Sequence, residues 1–401
     1  MSLRQRIAIV VLLALGAASI GFYSLSPTTK PILFSQQVYI WQRLWTSQHR
    51  EALQQSRTLF SALHVLGLQV HQQEGIRHIA VHTALLKQDG RPIWLVVRLD
   101  GQLVALNKLR IVEKILQTLA EWTNAGLQID GIEIDYDAPT AKLAEYQQFL
   151  IILRHSIPET LRLNITALPT WLESPLLPTL LRTADGSVLQ VHYVLSPAKG
   201  LFDPRLAQRW IAQYAGIAAH PFWVALPAYG SALTDSRRVE SEVSLYEPEN
   251  LQELSVAPQT LATFMSQLEQ NPPAGLQGFV WFRLPLAGDR RAWSLATLEA
   301  VIRHQPLTPR WSLVIKPHRD PMLYDLAIKN SGNVDAPLPR QIELNAACAL
   351  ADAAGHYEIQ TNSPTLRFLR VTHQQLRAGE SSPLGWVRCA EKLSGAINVT
   401  Q

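Results

Sequence analysis

The chain has 401 residues, 47% of them hydrophobic and 17% charged, with 25 prolines and 2 cysteines. At roughly 150 residues per domain this implies two or three domains, or one α/β barrel of about 250 residues with a smaller companion. The composition excludes a disordered, coiled-coil or collagen-like chain, and the cysteine count excludes a disulfide scaffold or a Cys-rich zinc site. The formal charge is +4. Arg4, Arg6 and Lys30 supply most of it from an acid-free amino terminus, and no run of lysine and arginine remains to form a phosphate footprint. Nucleic acid is therefore not an expected partner.

Residues 1–26 read as a signal peptide or signal anchor. Arg4 and Arg6 form a positive start, Ile7 to Tyr23 is apolar or small and uncharged, and a polar stretch from Ser24 to Thr29 follows. Gly16-Ala17-Ala18 is a candidate cleavage site, and no cysteine follows that would carry a lipid. If retained, residues 7–23 are an apolar run of about 17 residues, just long enough to span a bilayer. In either case the rest of the chain is expected in the periplasm, free or anchored to the inner membrane.

Residues 36–305 alternate between strand and helix patterns. Val38–Trp41 is a short strand, and Thr46 or Ser47 caps a helix carrying Leu53, Leu59 and Phe60. Leu63–Val70 is the second strand. An extra β-like run, Ile79–Leu86, closes at the Asp89-Gly90 turn. Pro92–Leu99 is the third strand, and Val112, Ile115, Leu116 and Leu119 mark a helix face. Gln128–Asp137 is the fourth, Leu161–Leu168 the fifth and Ser187–Leu195 the sixth. Asp203-Pro204 starts a helix. Phe222–Leu226 is the seventh strand, Gly278–Leu284 the eighth, and Ser294 caps a last helix. Eight strands alternating with helices define a (β/α)8 barrel, with a hairpin in place of a helix in the second unit. A doubly wound sheet is the alternative, but no G-x-G-x-x-G follows the first strand.

After Gln305-Pro306-Leu307-Thr308-Pro309 the pattern turns to short alternating runs, Leu323–Lys329, Arg340–Asn345, His356–Gln360 and Leu366–Val371. Residues 309–401 are expected to form a β-sandwich. Cys348 and Cys389 both lie in it, either as a disulfide or as two buried thiols.

The chemistry concentrates in Asp130-Gly131-Ile132-Glu133-Ile134-Asp135-Tyr136-Asp137. Alternate strand residues share a face, so Glu133, Asp135 and Asp137 point together into the barrel. Like charges in low dielectric raise one another's pKa, which keeps a carboxylic acid protonated for general-acid work. The C-terminal end of a barrel strand is where such groups act. The competing reading is a structural cluster neutralised by Arg98 and Arg283. Trp41, Trp45, Trp94, Trp171, Trp223 and Trp281 fall in or just after strands. They stack on sugar rings or fill the core, and Trp94 and Trp223 are assigned to the core. His78 and His82 stand four apart in a β-like run, so neither a metal nor a cofactor is expected.

The fourth-strand run resembles the D-G-x-D-x-D-x-E motif of family 18 glycoside hydrolases, the chitinase-like barrels. Glu133 stands where that family has Asp, and Asp137 stands where it has its catalytic Glu. Ala225-Leu226-Pro227-Ala228-Tyr229-Gly230 is similar to the seventh-strand L-P-x-Y-G. Val191-His192-Tyr193 is similar to M-x-Y-D, with Val194 replacing the Asp. Trp281 lies near the eighth-strand tryptophan, offset by about one position. The serine-glycine-glycine motif of the third strand is absent. The whole chain more closely resembles a bacterial family known as domain of unknown function 3142. The matching pieces are Trp41-Gln42-Arg43, Asp135-Tyr136-Asp137-Ala138-Pro139-Thr140, Ile165-Thr166-Ala167-Leu168-Pro169-Thr170-Trp171 and Phe282-Arg283-Leu284-Pro285.

By the chitinase resemblance, Asp137 is the acid, Asp135 orients the substrate acetamide and stabilises the cation, and Glu133 modulates Asp135. Tyr193 binds the acetamide or the ring. Tyr229, Trp281, Arg283, Trp41 and Arg98 complete the substrate-binding set. Two functions follow. One is an exported glycosidase-like barrel acting on an envelope or environmental polysaccharide. The other is a glycan-binding barrel without catalysis, which the substitutions at positions 133, 137 and 194 favour.

Overall fold

The computed structural model describes residues 34–192, 200–233, 239–240, 252–320, 322–346, 348–360, 365–393 and 397–400. The expected signal segment and Tyr193 lie outside the described residues. Among the described residues, no helix is long and apolar enough to cross a membrane.

Eight parallel strands run in chain order: β1 (Ser35–Ile40), β2 (Ala62–His71), β3 (Ile93–Leu99), β4 (Ile129–Tyr136), β5 (Arg162–Ala167), β6 (Gly186–Gln190), β7 (Phe222–Pro227) and β8 (Leu276–Phe282). Strand β1 pairs with both β2 and β8, which closes the barrel. A helix follows each strand: α1 (Ser47–Gln55), α2 (Thr83–Asp89), α3 (Lys108–Asn124), α4 (Leu143–Ser156), α5 (Leu177–Leu181), α6 (Pro204–Ala215), α7 (Pro258–Gln270) and α8 (Leu295–Ile302). Their starts follow from local chemistry. Asp203 accepts from the Arg205 and Leu206 amides at 2.9 and 3.1 Å, and Pro204 pre-sets the first turn of α6. Ser294 accepts from the Thr297 amide at 3.1 Å to begin α8. Helix α3 turns Val112, Ile115, Leu119 and Trp122 inward, as its apolar spacing requires.

The second unit differs from the sequence expectation. The hairpin strand is Gly75–His78, antiparallel to Leu68–His71, and the reversal uses Gly75 at φ 73°. The run from Ile79 then leaves the sheet. His82 caps α2 by accepting from the Leu85 amide at 3.2 Å, and α2 buries Leu85 and Leu86. A helix therefore does cover this unit. It was hidden because one turn of apolar residues fits strand and helix periods equally.

Beyond the barrel lie β9 (Trp311–Pro317), β10 (Leu323–Asn330), β11 (Gln341–Leu344), β12 (Cys348–Ala353), β13 (Tyr357–Gln360), β14 (Leu366–Arg370), β15 (Ser381–Cys389) and β16 (Ile397–Thr400). They form two antiparallel sheets, β9-β10-β15-β12 and β13-β14-β11-β16. Leu326, Ile328, Ile342, Leu344, Phe368, Leu384 and Val387 share one core between them. Cys348 and Cys389 are joined by a disulfide across the paired strands β12 and β15, 41 residues apart in sequence. In the loop-entropy account a closure of this length stabilises by about 4 kcal/mol.

Candidate functional site

The site is built from the floor of the barrel upward. Trp94 on β3 lies buried and stacks nearly parallel on His64 at 5.8 Å. The Arg162 guanidinium covers its ring at 5.0 Å and also pairs with Asp130. A Cβ on residue 131 would stand 2.3 Å from the Trp94 ring, so only glycine fits there. The first half of the strand-four motif, Asp130-Gly131, thus serves packing.

Glu133 is the deepest acid and is fully buried. Its Oε1 accepts from the Tyr39 hydroxyl at 2.5 Å and the Thr166 hydroxyl at 2.8 Å, and its Oε2 meets His64 Nδ1 at 2.6 Å. His64 Nε2 faces the Gln37 side-chain amide at 2.6 Å. Burial pushes the Glu133 carboxyl up. The charge and hydrogen bond of His64, with the two hydroxyls, outweigh burial and hold it below its ordinary value.

Asp135 and Asp137 stand above it, at the C-terminal end of β4. Arg98 joins them: Nη1 donates to Asp135 Oδ2 at 2.8 Å, and Nη2 pairs with Asp137 Oδ2. The register that pairs Arg98 with Asp135 across β3 and β4 puts the guanidinium there. Asp135 is 5% exposed, and its Oδ1 has no hydrogen-bond partner among the described residues. Burial raises the Asp135 carboxyl, Arg98 draws it down, and Asp137 and Glu133 raise it again, leaving it at about 7. The Asp137 side chain is 38% exposed.

An aromatic wall completes the mouth. Phe282, half-buried at the end of β8, has ring centroids 5.0 Å from Trp41, 5.0 Å from Tyr229, 5.7 Å from His192 and 5.8 Å from Tyr39. His192 is 4% exposed, and its Nδ1 lies 3.3 Å from the Tyr229 hydroxyl, while Nε2 has no partner among the described residues. Burial pushes His192 down to about 3 and Tyr229 up to about 12, so both are neutral at physiological pH.

The structure therefore brings together Glu133, Asp135, Asp137, Arg98, Trp41 and Tyr229. It turns Trp281 away from them and pairs Arg283 with Asp289. Trp281 faces away from the interior: it is fully buried, donates to Gln36 Oε1 at 2.7 Å and packs beside Trp293 at 6.3 Å. The one-residue parity of a strand gives its inner position to Phe282. Arg283 pairs with Asp289, through Nε at 2.8 Å and Nη2 at 2.6 Å, and its charge acts on Tyr229. His192 and Phe282 were missed. Counting inward positions from Val188 and Val280, both in the interior cluster, finds them.

Among solved structures, the chain is similar to the spore cortex-lytic enzyme SleL of Bacillus megaterium QM B1551, at 11% identity over 69% of this chain and 75% of that one, with a TM-score of 0.51. SleL of Bacillus cereus gives 13% identity, 69% and 75% coverage and a TM-score of 0.48. The GH18 chitinase ChiB of Flavobacterium johnsoniae gives 13%, 68%, 93% and 0.46. The fold is thus a (β/α)8 barrel similar to that of SleL. Residues 89–287 match the family described as domain of unknown function (DUF3142). Residues 313–390 match a second family, domain of unknown function (DUF8456). No curated protein matches the sequence.

Proposed function

We propose that the barrel binds a glycan at its C-terminal mouth and does not hydrolyse it by the substrate-assisted route. The observation that carries this reading is the single guanidinium of Arg98 shared by Asp135 and Asp137. A general acid must hold a proton and present it to the leaving oxygen. Arg98 already occupies Asp137 Oδ2, and a guanidinium has only protons to donate, so that oxygen faces Arg98 rather than a leaving group. Asp137 is also one methylene shorter than glutamate, and displacement near 1 Å costs about 100-fold when a proton must be delivered in line. Binding has what it needs. The Phe282 ring offers a stacking surface, and Asp135 Oδ1 and His192 Nε2, without partners among the described residues, are polar atoms for sugar hydroxyls.

A second reading keeps hydrolysis, and one observation favours it: the Asp135 carboxyl, at about 7, holds a proton near neutral pH. Incubation with N-acetylated and non-acetylated glycans, reading both binding and new reducing ends, separates the two. We expect binding without new reducing ends. Phe282→Ala is expected to weaken binding by roughly 10-fold through lost stacking, and Asp137→Asn to leave it nearly intact. Trp281→Ala is expected to cost about 3–5 kcal/mol of stability as a core deletion. Rapid turnover that Asp137→Asn abolishes would establish the hydrolase instead.

The ligand we propose is an envelope or environmental polysaccharide met outside the cytoplasm. The charge and apolar pattern of residues 4–23 supports export, and the SleL-like fold supports an envelope glycan by analogy. A tag fused after Gln401 is expected in the periplasm or on the periplasmic side of the inner membrane. Recovery of soluble full-length chain from the cytoplasm would refute export.

A further inference from the structure

We infer that Arg377, carried by the C-terminal sandwich, is a positioning residue for the barrel mouth: its guanidinium clasps the loop after β8 and so sets Tyr229 against Phe282. Nη1 donates to the Leu286 and Ala287 carbonyls at 3.2 and 2.8 Å, and Nη2 to those of Ala292 and Trp293 at 2.9 Å each. These carbonyls come from the two limbs of one loop. Four partial negative charges converging on one point repel unless a cation lies between them, and the planar fork of arginine bridges two limbs where a point charge does not.

The loop transmits this position to the mouth. Asp289 accepts from the Arg291 and Ala292 amides at 3.2 Å each, which fixes the turn of the loop. Its second limb is stitched to the segment after β7. Tyr229 and Ala292 form a backbone bridge, the Trp293 amide donates to Ala228 at 2.9 Å, and the Gly230 amide donates to Arg291. Tyr229 in turn touches Phe282 and His192. On the sandwich side, Asp335 accepts from the Ala378 amide at 2.8 Å and from the Ser294 amide at 2.7 Å, which seats Arg377 against the start of α8. The sandwich thus contributes to the shape of the mouth without touching a ligand. The effect on ligand affinity rests on the glycan-binding reading; the clasp itself does not.

Hydrogen exchange on the full chain tests the clasp. In Arg377→Ala, peptides covering residues 226–233 and 284–294 are expected to exchange at least ~10-fold faster, while peptides covering 129–137 keep wild-type rates. Arg377→Lys, which keeps the charge but not the fork, is expected to fall between. Affinity for an N-acetylglucosamine tetramer is expected to drop in the same order. Wild-type exchange over 226–233 in Arg377→Ala would overturn the inference. So would uniformly faster exchange that includes 129–137, since that marks general destabilisation. If the local exchange changes appear but the wild-type protein binds no tetramer, the clasp stands and the glycan-binding reading falls.

Discussion

Replacing Glu133 with alanine is expected to lower folding stability by about 3–5 kcal/mol, the cost of stripping one partner from a buried charged pair. The carboxylate is fully buried and meets three groups, Tyr39, Thr166 and His64. Each would be left in the barrel interior without its acceptor, and the space is closed above by Asp135 and Arg98. Glu133→Gln keeps the volume and one acceptor oxygen but turns an amide N–H toward a donor, so an intermediate loss is expected. The pH dependence has a definite sign. The folded carboxyl stands below its ordinary value, so its contribution is present above the unfolded value of about 4.3 and is lost as pH falls through the lower folded value. Urea midpoints for wild type and both variants between pH 3 and 7 check this. A Glu133→Ala midpoint equal to wild type at neutral pH would show that the three partners find other bonds.

Asp135 is expected to act in the opposite direction. Its folded carboxyl stands at about 7, above the ordinary aspartate value. Its contribution to stability is therefore complete below about pH 3.9 and is lost as pH rises through about 7. Asp135→Asn removes that proton and with it the slope, so the variant should gain on wild type as pH rises from 4 to 8. The full linkage of a shift of this size is on the order of 4 kcal/mol, an upper bound because Arg98 still has Asp137 to hold. Stability curves of the two proteins against pH give the answer. Parallel curves across that range would mean that Asp135 is ionised throughout, with Arg98 outweighing burial.

The barrel was legible because its signals are local. Strand and helix alternate by period, and Asp203-Pro204 and Ser294 mark helix starts that the structure repeats. The inward stacking of Glu133 and Asp135 was legible too, since a two-residue period needs only a phase. Phase also decides the eighth strand, where Trp281 lies one residue off the inner face and Phe282 occupies it. The inward count from Val188 likewise reaches His192, whose ring meets Phe282. Partner choice between distant residues was beyond local reading. Both Arg98 and Arg283 were plausible counter-ions for the acids, and only the folded path of the loop after β8 gives Arg283 to Asp289.

Gly131 gives the strand-four motif a division of labour with consequences for how such a sequence changes over time. Any side chain at this position must push against the Trp94 ring at 2.3 Å and the Arg162 carbonyl at 2.6 Å, and so dislodge the stack that supports His64. A mutation there loses the barrel before it alters any chemistry. The exposed end of the same strand bears no such steric constraint: the Asp137 side chain is 38% exposed and answers only to its pair with Arg98. A sequence built on this scaffold can therefore change the acid at the mouth while the glycine below it stays fixed. A motif search anchored on that glycine would then report the packing of the strand and say nothing of the chemistry above it.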